Sequence, residues 1–136
     1  MSLGQDVSWN EIESMVIILS KKITTLSRSF SSIATLSRGG LVPSRLLADH
    51  LGIETIFVDK RKITSDSLFV DDIFDSGKTF DKILLNVDDP SKLVFVTLFA
   101  RHGKKYPKNL VYAKKTNNNT YVIFPWDKLE FQRTKK

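Results

Sequence analysis

The sequence predicts an α/β fold: a doubly wound, mostly parallel sheet flanked by helices, with a small C-terminal hood. Two apolar runs, at residues 68–70 and 93–99, lack alternation of polar and apolar residues, which is typical of parallel strands buried on both faces. From residue 32, a strand, a glycine loop and a helix follow one another, which is the order that begins such folds. Ligands of these folds bind beyond the carboxyl ends of the strands.

A first helix is predicted from Ser8 to about residue 27. Ser8 and Glu11 have the spacing of a capping box, in which the serine is the N-cap and the glutamate reaches back to it. One apolar stripe of this helix should lie on the sheet, because apolar residues recur at steps of three and four. The stripe consists of Ile12, Met15, Val16, Leu19, Ile23 and Leu26.

Strands and helices alternate through the rest of the chain. Pro43 near the first turn and Gly52 just past the end delimit the second helix. Asn117, Asn118 and Asn119 form a turn between the last two strands, which we expect at an edge or in the hood. The predicted strands are residues 32–36, 53–58, 68–70, 93–99, 110–113 and 121–124, and a third helix is residues 79–85.

Size and composition indicate one domain over residues 1–136, with flexible ends at residues 1–7 and 129–136. The absence of cysteine excludes disulfides and thiolate metal sites, and His50 and His102 cannot form a zinc site alone. No apolar run is long enough to cross a bilayer, and the start lacks the pattern of a signal peptide. We therefore expect a cytoplasmic protein without a membrane partner.

The net charge of +6 raises the question of nucleic-acid binding. Much of the excess lies in Lys104-Lys105, Lys114-Lys115 and residues 133–136, with no RNA-binding aromatic signature among them. A basic rim also attracts a polyanionic small substrate. The sequence favours such a substrate over nucleic acid.

The most informative stretch follows the buried run at residues 68–70. Asp71 and Asp72 are adjacent and Asp75 is close behind; two carboxylates about 4 Å apart repel by roughly 4 kcal/mol at an effective dielectric of 20, so a cation or hydroxyl groups should meet them. The next residues form a hydroxyl-bearing glycine turn that can hold phosphate through its amides. This turn is Ser76-Gly77-Lys78-Thr79. A phosphorylated ribose satisfies both halves.

Residues 70–79, Val-Asp-Asp-Ile-Phe-Asp-Ser-Gly-Lys-Thr, resemble the phosphoribosyl-pyrophosphate motif of the type I phosphoribosyltransferases. The resemblance implies that Asp71 and Asp72 hold the ribose hydroxyls and help to place Mg²⁺, while the turn at residues 76–79 holds the 5′-phosphate. It also implies that Asp75 accepts a proton from N7 of the purine.

A second stretch, Ser37-Arg38-Gly39-Gly40-Leu41-Val42-Pro43, resembles the pyrophosphate loop of the purine members of that family, those of the xanthine-guanine and hypoxanthine type. The resemblance implies that Arg38 and Gly39 bind the leaving pyrophosphate. It also predicts a cis peptide bond between these two residues.

A third, softer similarity covers residues 95–101 and 120–127. It implies that Arg101, which stands where these relatives have a lysine, bonds the 6-oxo group of the base, that Tyr121 stacks on the base, and that the Val122 carbonyl bonds an exocyclic group. An ordinary packing role for Tyr121 stays open.

The resemblance implies transfer of a phosphoribosyl group to guanine, xanthine or hypoxanthine by a homodimer or homotetramer. One departure leaves an alternative open. Between residues 58 and 67 the family has a long mobile loop that excludes water, and this chain has only the short connection at residues 59–66. The alternative is a non-catalytic regulator with the same fold that binds phosphoribosyl pyrophosphate or a nucleotide.

Overall fold

The computed structural model describes residues 4–134. Its strands and helices follow the predicted order, with β1 added at the N-terminus and α4 at the C-terminus. They are β1 (Gly4–Asp6), α1 (Trp9–Thr24), β2 (Ser32–Thr35), α2 (Leu41–Leu51), β3 (Ile56–Val58), β4 (Ser67–Phe74), α3 (Lys78–Leu84), β5 (Val94–Ala100), β6 (Leu110–Lys115), β7 (Tyr121–Ile123) and α4 (Lys128–Thr134). Short 3-10 turns span Pro90–Lys92 and Pro125–Asp127.

The main sheet has five parallel strands in the order β3-β2-β4-β5-β6, which confirms the predicted α/β architecture. The strand order changes direction between β2 and β4, which makes the carboxyl ends of these strands the expected ligand site. β2 pairs with β4 only as far as Thr35 and Val70, whereas β4 continues beside β5 to the pair Phe74 and Ala100. The last part of β4 therefore projects past the end of β2.

Helix α1 forms as its sequence predicts. The Ser8 hydroxyl accepts a hydrogen bond from the Glu11 amide at 3.1 Å. The Glu11 carboxylate lies 3.4 Å from the Lys114 ammonium of β6. The helix ends at Thr24, slightly before the predicted end, and its predicted stripe is buried from Ile12 to Ile23.

Two cores hold the sheet between its helices. On one face α1 and α2 pack against alternate residues of β4 and β5, including Leu68 and Val70. On the other face α3 packs Phe80 and Ile83 against an aromatic layer in which Phe69 and Phe95 stack at 5.0 Å between ring centroids. Consecutive residues of β4 thus face opposite layers.

The last strands divide between two sheets. β6 is the edge strand of the main sheet, and β7 pairs in parallel with β1 in a separate two-stranded sheet. We call this small sheet, together with the loop at residues 116–120, the hood. Within the end predicted to be flexible, Gly4–Asp6 form β1 and pair with β7, and Val7 is buried. At the other end, α4 spans most of residues 129–136, and residues 1–3 and 135–136 lie outside the described part.

No helix within residues 4–134 is both long enough and apolar enough to cross a membrane.

Candidate active site

The carboxylate pair lies within β4, not after it. The prediction that the strand ends at residue 70 was wrong, because pairing with β5 continues through Asp71 and beyond to Phe74. Asp71 and Asp72 extend past the end of β2 and are half-buried. Their side chains therefore line the cleft that opens at the change in strand order.

The electrostatics of this pair are unfavourable without a ligand. Burial raises the pKa of Asp71. Burial, followed by the Asp71 carboxylate, raises the pKa of Asp72 to about 8. The hydrogen bond from the Asp72 amide to Asp71 Oδ1, at 2.9 Å, lowers the pKa of Asp71 but does not offset the repulsion. A cation or the hydroxyls of a sugar would.

The pair also meets the requirements of a magnesium site. Among the side chains that the structure describes, no three of His, Cys, Asp or Glu are grouped so that they could enclose a metal ion. Mg²⁺ is usually held by one or two carboxylates together with water and substrate oxygens. Two adjacent carboxylates with raised pKa, at the edge of an open cleft, match that donor set.

The loop between β2 and α2 faces this pair and is fixed at both ends. At its start, the Ser37 amide and hydroxyl donate to the two oxygens of Asp59, at 2.9 and 2.5 Å. These hydrogen bonds lower the pKa of Asp59. At its end, Gly40 lies against β2 and β4, where the Thr35 hydroxyl donates to the Val70 carbonyl at 2.6 Å.

The cis peptide bond of this loop joins Ser37 and Arg38. The prediction of a cis bond between Arg38 and Gly39 was therefore wrong by one residue. The turn begins at Ser37, the residue that Asp59 anchors, and not after Arg38.

The two glycines of this loop give a matched pair of predictions. A β-carbon at Gly40 would lie 2.7 Å from the Val70 carbonyl and would strike the Thr35 side chain, whereas one at Gly39 would lie 2.7 Å from Asp72 Oδ2. Gly40→Ala should lower the free energy of unfolding by about 1–3 kcal/mol because backbone must move. Gly39→Ala should displace the Asp72 carboxylate and weaken ligand binding more than stability. Thermal melting of both variants measures stability, and calorimetric titration with phosphoribosyl pyrophosphate measures binding. Equal losses of stability in the two variants would contradict the prediction.

The predicted phosphate loop follows β4 directly. Gly77 has a φ of +87°, a conformation that favours glycine, and α3 begins at the next residue. The Lys78 amide donates to the Ser76 hydroxyl at 3.3 Å. The ring of Phe74 lies under the turn, 3.4 Å from the position of a β-carbon at Gly77. The cleft of about 190 Å³ beside this loop is lined by residues 71–80 and Phe95, so it joins the carboxylate pair to the loop.

Asp75 forms an ion pair with Arg101, the residue that follows β5. Arg101 Nε and Nη2 donate to the two oxygens of Asp75 at 3.0 and 3.4 Å. The Arg101 side chain is 9% exposed, and that of Asp75 is 57% exposed. Arg101 was expected to face the substrate, and the structure instead directs most of its donors to other protein groups.

The predicted base-binding residues lie in the hood. Tyr121 is 54% exposed, whereas Val122 is 5% exposed. The Ile123 carbonyl accepts from the Val7 amide at 3.0 Å, so it points toward β1. Carbonyls alternate along a strand, and the Val122 carbonyl therefore points to the opposite side.

The short connection at residues 59–66 is tied to the body of the protein. The Ile63 amide donates to the Asn86 carbonyl at 2.9 Å, and the Ile63 carbonyl accepts from the Asp88 amide at 3.0 Å. Lys60 and Arg61, with Lys82 of α3, border a depression of about 290 Å³ next to Asp59. This segment therefore provides basic groups beside the Ser37 loop, but its anchoring is unlike that of a mobile lid.

Most of the predicted site residues come together. The cleft contains Asp71, Asp72, Asp75, Ser76, Gly77, Lys78 and Thr79, and Gly39 adjoins Asp72 while Arg101 adjoins Asp75. The sequence did not indicate the anchor Asp59 or the backbone carbonyls of Asn118 and Thr120 that bind Arg101. Any residue has a backbone carbonyl, so the sequence gives no sign of which carbonyls bind Arg101. Asp59 lies next to Lys60, Arg61 and Lys62, and the sequence therefore indicated only a basic turn there.

The chain is similar in sequence to a curated protein and in fold to solved structures. The chain is 27% identical over 144 aligned positions to the xanthine-guanine phosphoribosyltransferase of Gluconobacter oxydans, covering 89% of this chain and 83% of that protein. No protein-family model matches the chain.

Two solved structures share the fold. The xanthine-guanine-hypoxanthine phosphoribosyltransferase of Helicobacter pylori superposes with a TM-score of 0.75 at 18% identity, over 96% of this chain and 98% of that one. The purine phosphoribosyltransferase of Pyrococcus horikoshii superposes with a TM-score of 0.73 at 18% identity, over 92% and 94%. The predicted fold is thereby confirmed.

Proposed function

We propose, from the similarity of this chain to phosphoribosyltransferases, that it belongs to the type I family, transfers the 5-phosphoribosyl group of phosphoribosyl pyrophosphate to a 6-oxopurine and releases pyrophosphate. The observation that carries the proposal is the cleft that joins a repelling carboxylate pair to a phosphate loop. One ribose 5-phosphate would bridge such a cleft, with its hydroxyls at the carboxylate pair and its phosphate at the loop. The base would be guanine, xanthine or hypoxanthine, and the reaction would serve purine salvage.

The donor would be held at three points. Asp71 and Asp72 would accept hydrogen bonds from the ribose hydroxyls, and residues 76–79 would donate to the 5′-phosphate. Arg38 and the backbone at Gly39 would bind the pyrophosphate. When bound by Asp71 and Asp72, Mg²⁺ would neutralise charge on the donor and on the departing pyrophosphate.

In the reaction, the bond between ribose C1 and the pyrophosphate oxygen breaks and a bond from C1 to a purine nitrogen forms. Positive charge develops on the sugar, so the protein needs to orient the base and stabilise charge more than supply a nucleophile. Asp75 would take the N7 proton of the base. Its oxygens have lone pairs left beyond those that Arg101 occupies, and its side chain is open to the cleft.

The base would lie against the hood, with Tyr121 over its ring and the Val122 carbonyl bonded to its exocyclic group. The exposure of Tyr121 and the direction of the Val122 carbonyl support these assignments. A homodimer or homotetramer in the cytoplasm completes the proposal. The exposed apolar residues Trp9 and Ile17 of α1 are candidates for the subunit interface, which light scattering of the purified protein would test.

The direct test is an assay of the purified chain with donor, Mg²⁺ and each of guanine, xanthine and hypoxanthine. We expect the corresponding nucleoside monophosphate and pyrophosphate in equal amounts, and no product when a chelator removes Mg²⁺. Donor binding without product from any base would contradict the enzymatic proposal. That outcome would favour the regulator, for which the anchored connection at residues 59–66 is the structural argument.

A further inference from the structure

We infer that Arg101 is a positioning residue that joins the proton acceptor Asp75 to the hood, and that it does not recognise the 6-oxo group of the base. This inference rests on the proposed function, because it assigns Asp75 and the hood their roles there. It is carried by the contacts of one buried guanidinium.

The donors of Arg101 are almost all occupied. A guanidinium has five N–H donors in a fixed plane. Nε and Nη2 donate to the Asp75 carboxylate, and Nη1 donates to the Asn118 carbonyl at 3.1 Å and to the Thr120 carbonyl at 2.7 Å. These four bonds leave a single N–H, on a side chain that is 9% exposed. Such a group is poorly placed to recognise an oxygen of a base that enters from the cleft.

The backbone of Arg101 fixes the position from which the guanidinium acts. Its amide donates to the Phe74 carbonyl at 2.7 Å, at the end of β4. Its carbonyl accepts from the Tyr106 hydroxyl at 2.6 Å. Arg101 is therefore joined to Phe74 by a main-chain hydrogen bond and to the next residue, Asp75, by the ion pair.

The other partner of Arg101 is the loop that leads into β7. Thr116 is bound to the end of β5, because its amide donates to the Ala100 carbonyl at 2.9 Å and its hydroxyl accepts from the His102 amide at 3.0 Å. Within the loop, the Thr120 amide donates to the Asn118 side chain at 2.8 Å. Tyr121 follows Thr120 directly, so Arg101 sets the position of the proposed stacking residue through the main chain.

Arginine suits this task and lysine does not. Two carbonyls and one carboxylate lie around the guanidinium in different directions, and its planar fork can bond all three. A lysine ammonium is a compact charge that could stay near Asp75 but could not also reach both carbonyls. Arg101→Lys thus keeps the charge and removes the connection to the hood.

The experiment compares Arg101→Lys with Lys105→Arg, a surface control that also keeps its positive charge, in the wild-type and Asp75→Asn backgrounds. With hypoxanthine, Arg101→Lys should lower kcat by about 100-fold, as for a catalytic group displaced by about 1 Å. The KM for the donor should stay within twofold. The ratio of kcat/KM for hypoxanthine to that for adenine should also stay within twofold of wild type, and Lys105→Arg should match wild type throughout.

The double variant separates action through Asp75 from direct action. If Arg101 acts through Asp75, Arg101→Lys should lower kcat less than threefold when Asp75 is already asparagine. A full 100-fold loss in that background would overturn the inference. A fall of tenfold or more in the hypoxanthine-to-adenine ratio, with kcat for hypoxanthine unchanged, would also overturn it, because a group that recognises the base controls discrimination between bases.

A readout that is independent of turnover distinguishes failure of this inference from failure of the proposed function. Amide hydrogen exchange at residues 116–121 should become at least tenfold faster in Arg101→Lys than in wild type or Lys105→Arg. Unchanged exchange would overturn the coupling of Arg101 to the hood. Absence of nucleotide product from the wild type would instead refute the proposed enzyme, while the exchange measurement would still decide the connection.

Discussion

Replacing Asp75 with asparagine is expected to lower kcat for a 6-oxopurine by about 10²–10⁴-fold, the usual contribution of a positioned proton acceptor. The substitution keeps the size of the side chain but removes the carboxylate that we propose as the acceptor of the N7 proton. Asp75 lies apart from the carboxylate pair that would hold the ribose, so affinity for the donor should change by less than about threefold, well below 1.4 kcal/mol. Steady-state kinetics with guanine, together with calorimetric titration of the donor, would measure both effects.

The matched control for this variant is Asp71→Asn. The same change from carboxylate to amide is made at Asp71, within β4, which is a proposed binding residue for phosphoribosyl pyrophosphate. It should weaken donor binding strongly and raise the KM for the donor, the opposite pattern to Asp75→Asn. Full turnover in Asp75→Asn would refute the proton-transfer role, and identical behaviour of the two variants would refute the division of labour between them. Thermal melting of both would show that each variant is folded.

The sequence predicted the order of the main strands and helices well because most of the information is local. The capping serine of α1, its apolar stripe and Gly52 at the end of α2, with a φ of +70°, each act within a few residues. The length of β4 was not predictable in this way. The strand continues through Asp71 because β5 lies beside it, and that pairing joins residues far apart in the chain.

The site shows the same division between local and long-range information. The carboxylates and the loop at residues 76–79 are contiguous in sequence, and their chemistry could be predicted from residue types. The role of Arg101 could not, because it depends on the backbone carbonyls of Asn118 and Thr120, which any residue could supply. Asp59 likewise became an anchor only when β3 placed it beside Ser37.

The anchored connection at residues 59–66 bears on how the site would exclude water. Proton transfer and charge stabilisation are strongest where water is displaced. In this chain Arg101 holds the loop of the hood that leads into β7, and β7 itself pairs with β1. A preformed hood next to Asp75 would exclude part of the water that a closing lid could exclude, with less complete closure and slower turnover.

Asp72→Asn should stabilise the protein, and the gain should grow with pH. The pKa of Asp72 is raised from its ordinary value of 3.8 to about 8 by burial and by Asp71. Between these two values the folded state binds more protons than the unfolded state, so the free energy of unfolding of the wild type falls as pH rises. The upper limit is about 1.4 kcal/mol per pH unit. Asparagine does not titrate, and this loss should be absent from the variant.

Thermal melting in the presence of a chelator would measure the effect. We expect the variant to melt above the wild type at pH 8, and the gap to be at least about 5 °C wider at pH 8 than at pH 5, since 1 kcal/mol shifts the Tm of a chain of this size by roughly 3–5 °C. Donor with Mg²⁺ should raise the Tm of the wild type more than that of the variant, because ligands that neutralise the pair bind the folded state.

Asp66→Asn is the control with the opposite sign. Hydrogen bonds from Thr64 and Ser31 lower the pKa of Asp66, so its carboxylate stabilises the folded state above its ordinary pKa, and this stabilisation is lost as pH falls through the lowered value. Asp66→Asn should therefore lower Tm at both pH 5 and pH 8. A Tm difference between wild type and Asp72→Asn that stays constant from pH 5 to pH 8 would mean that the carboxylates do not repel each other. The proposal that the cleft binds a cation and a sugar would then fail.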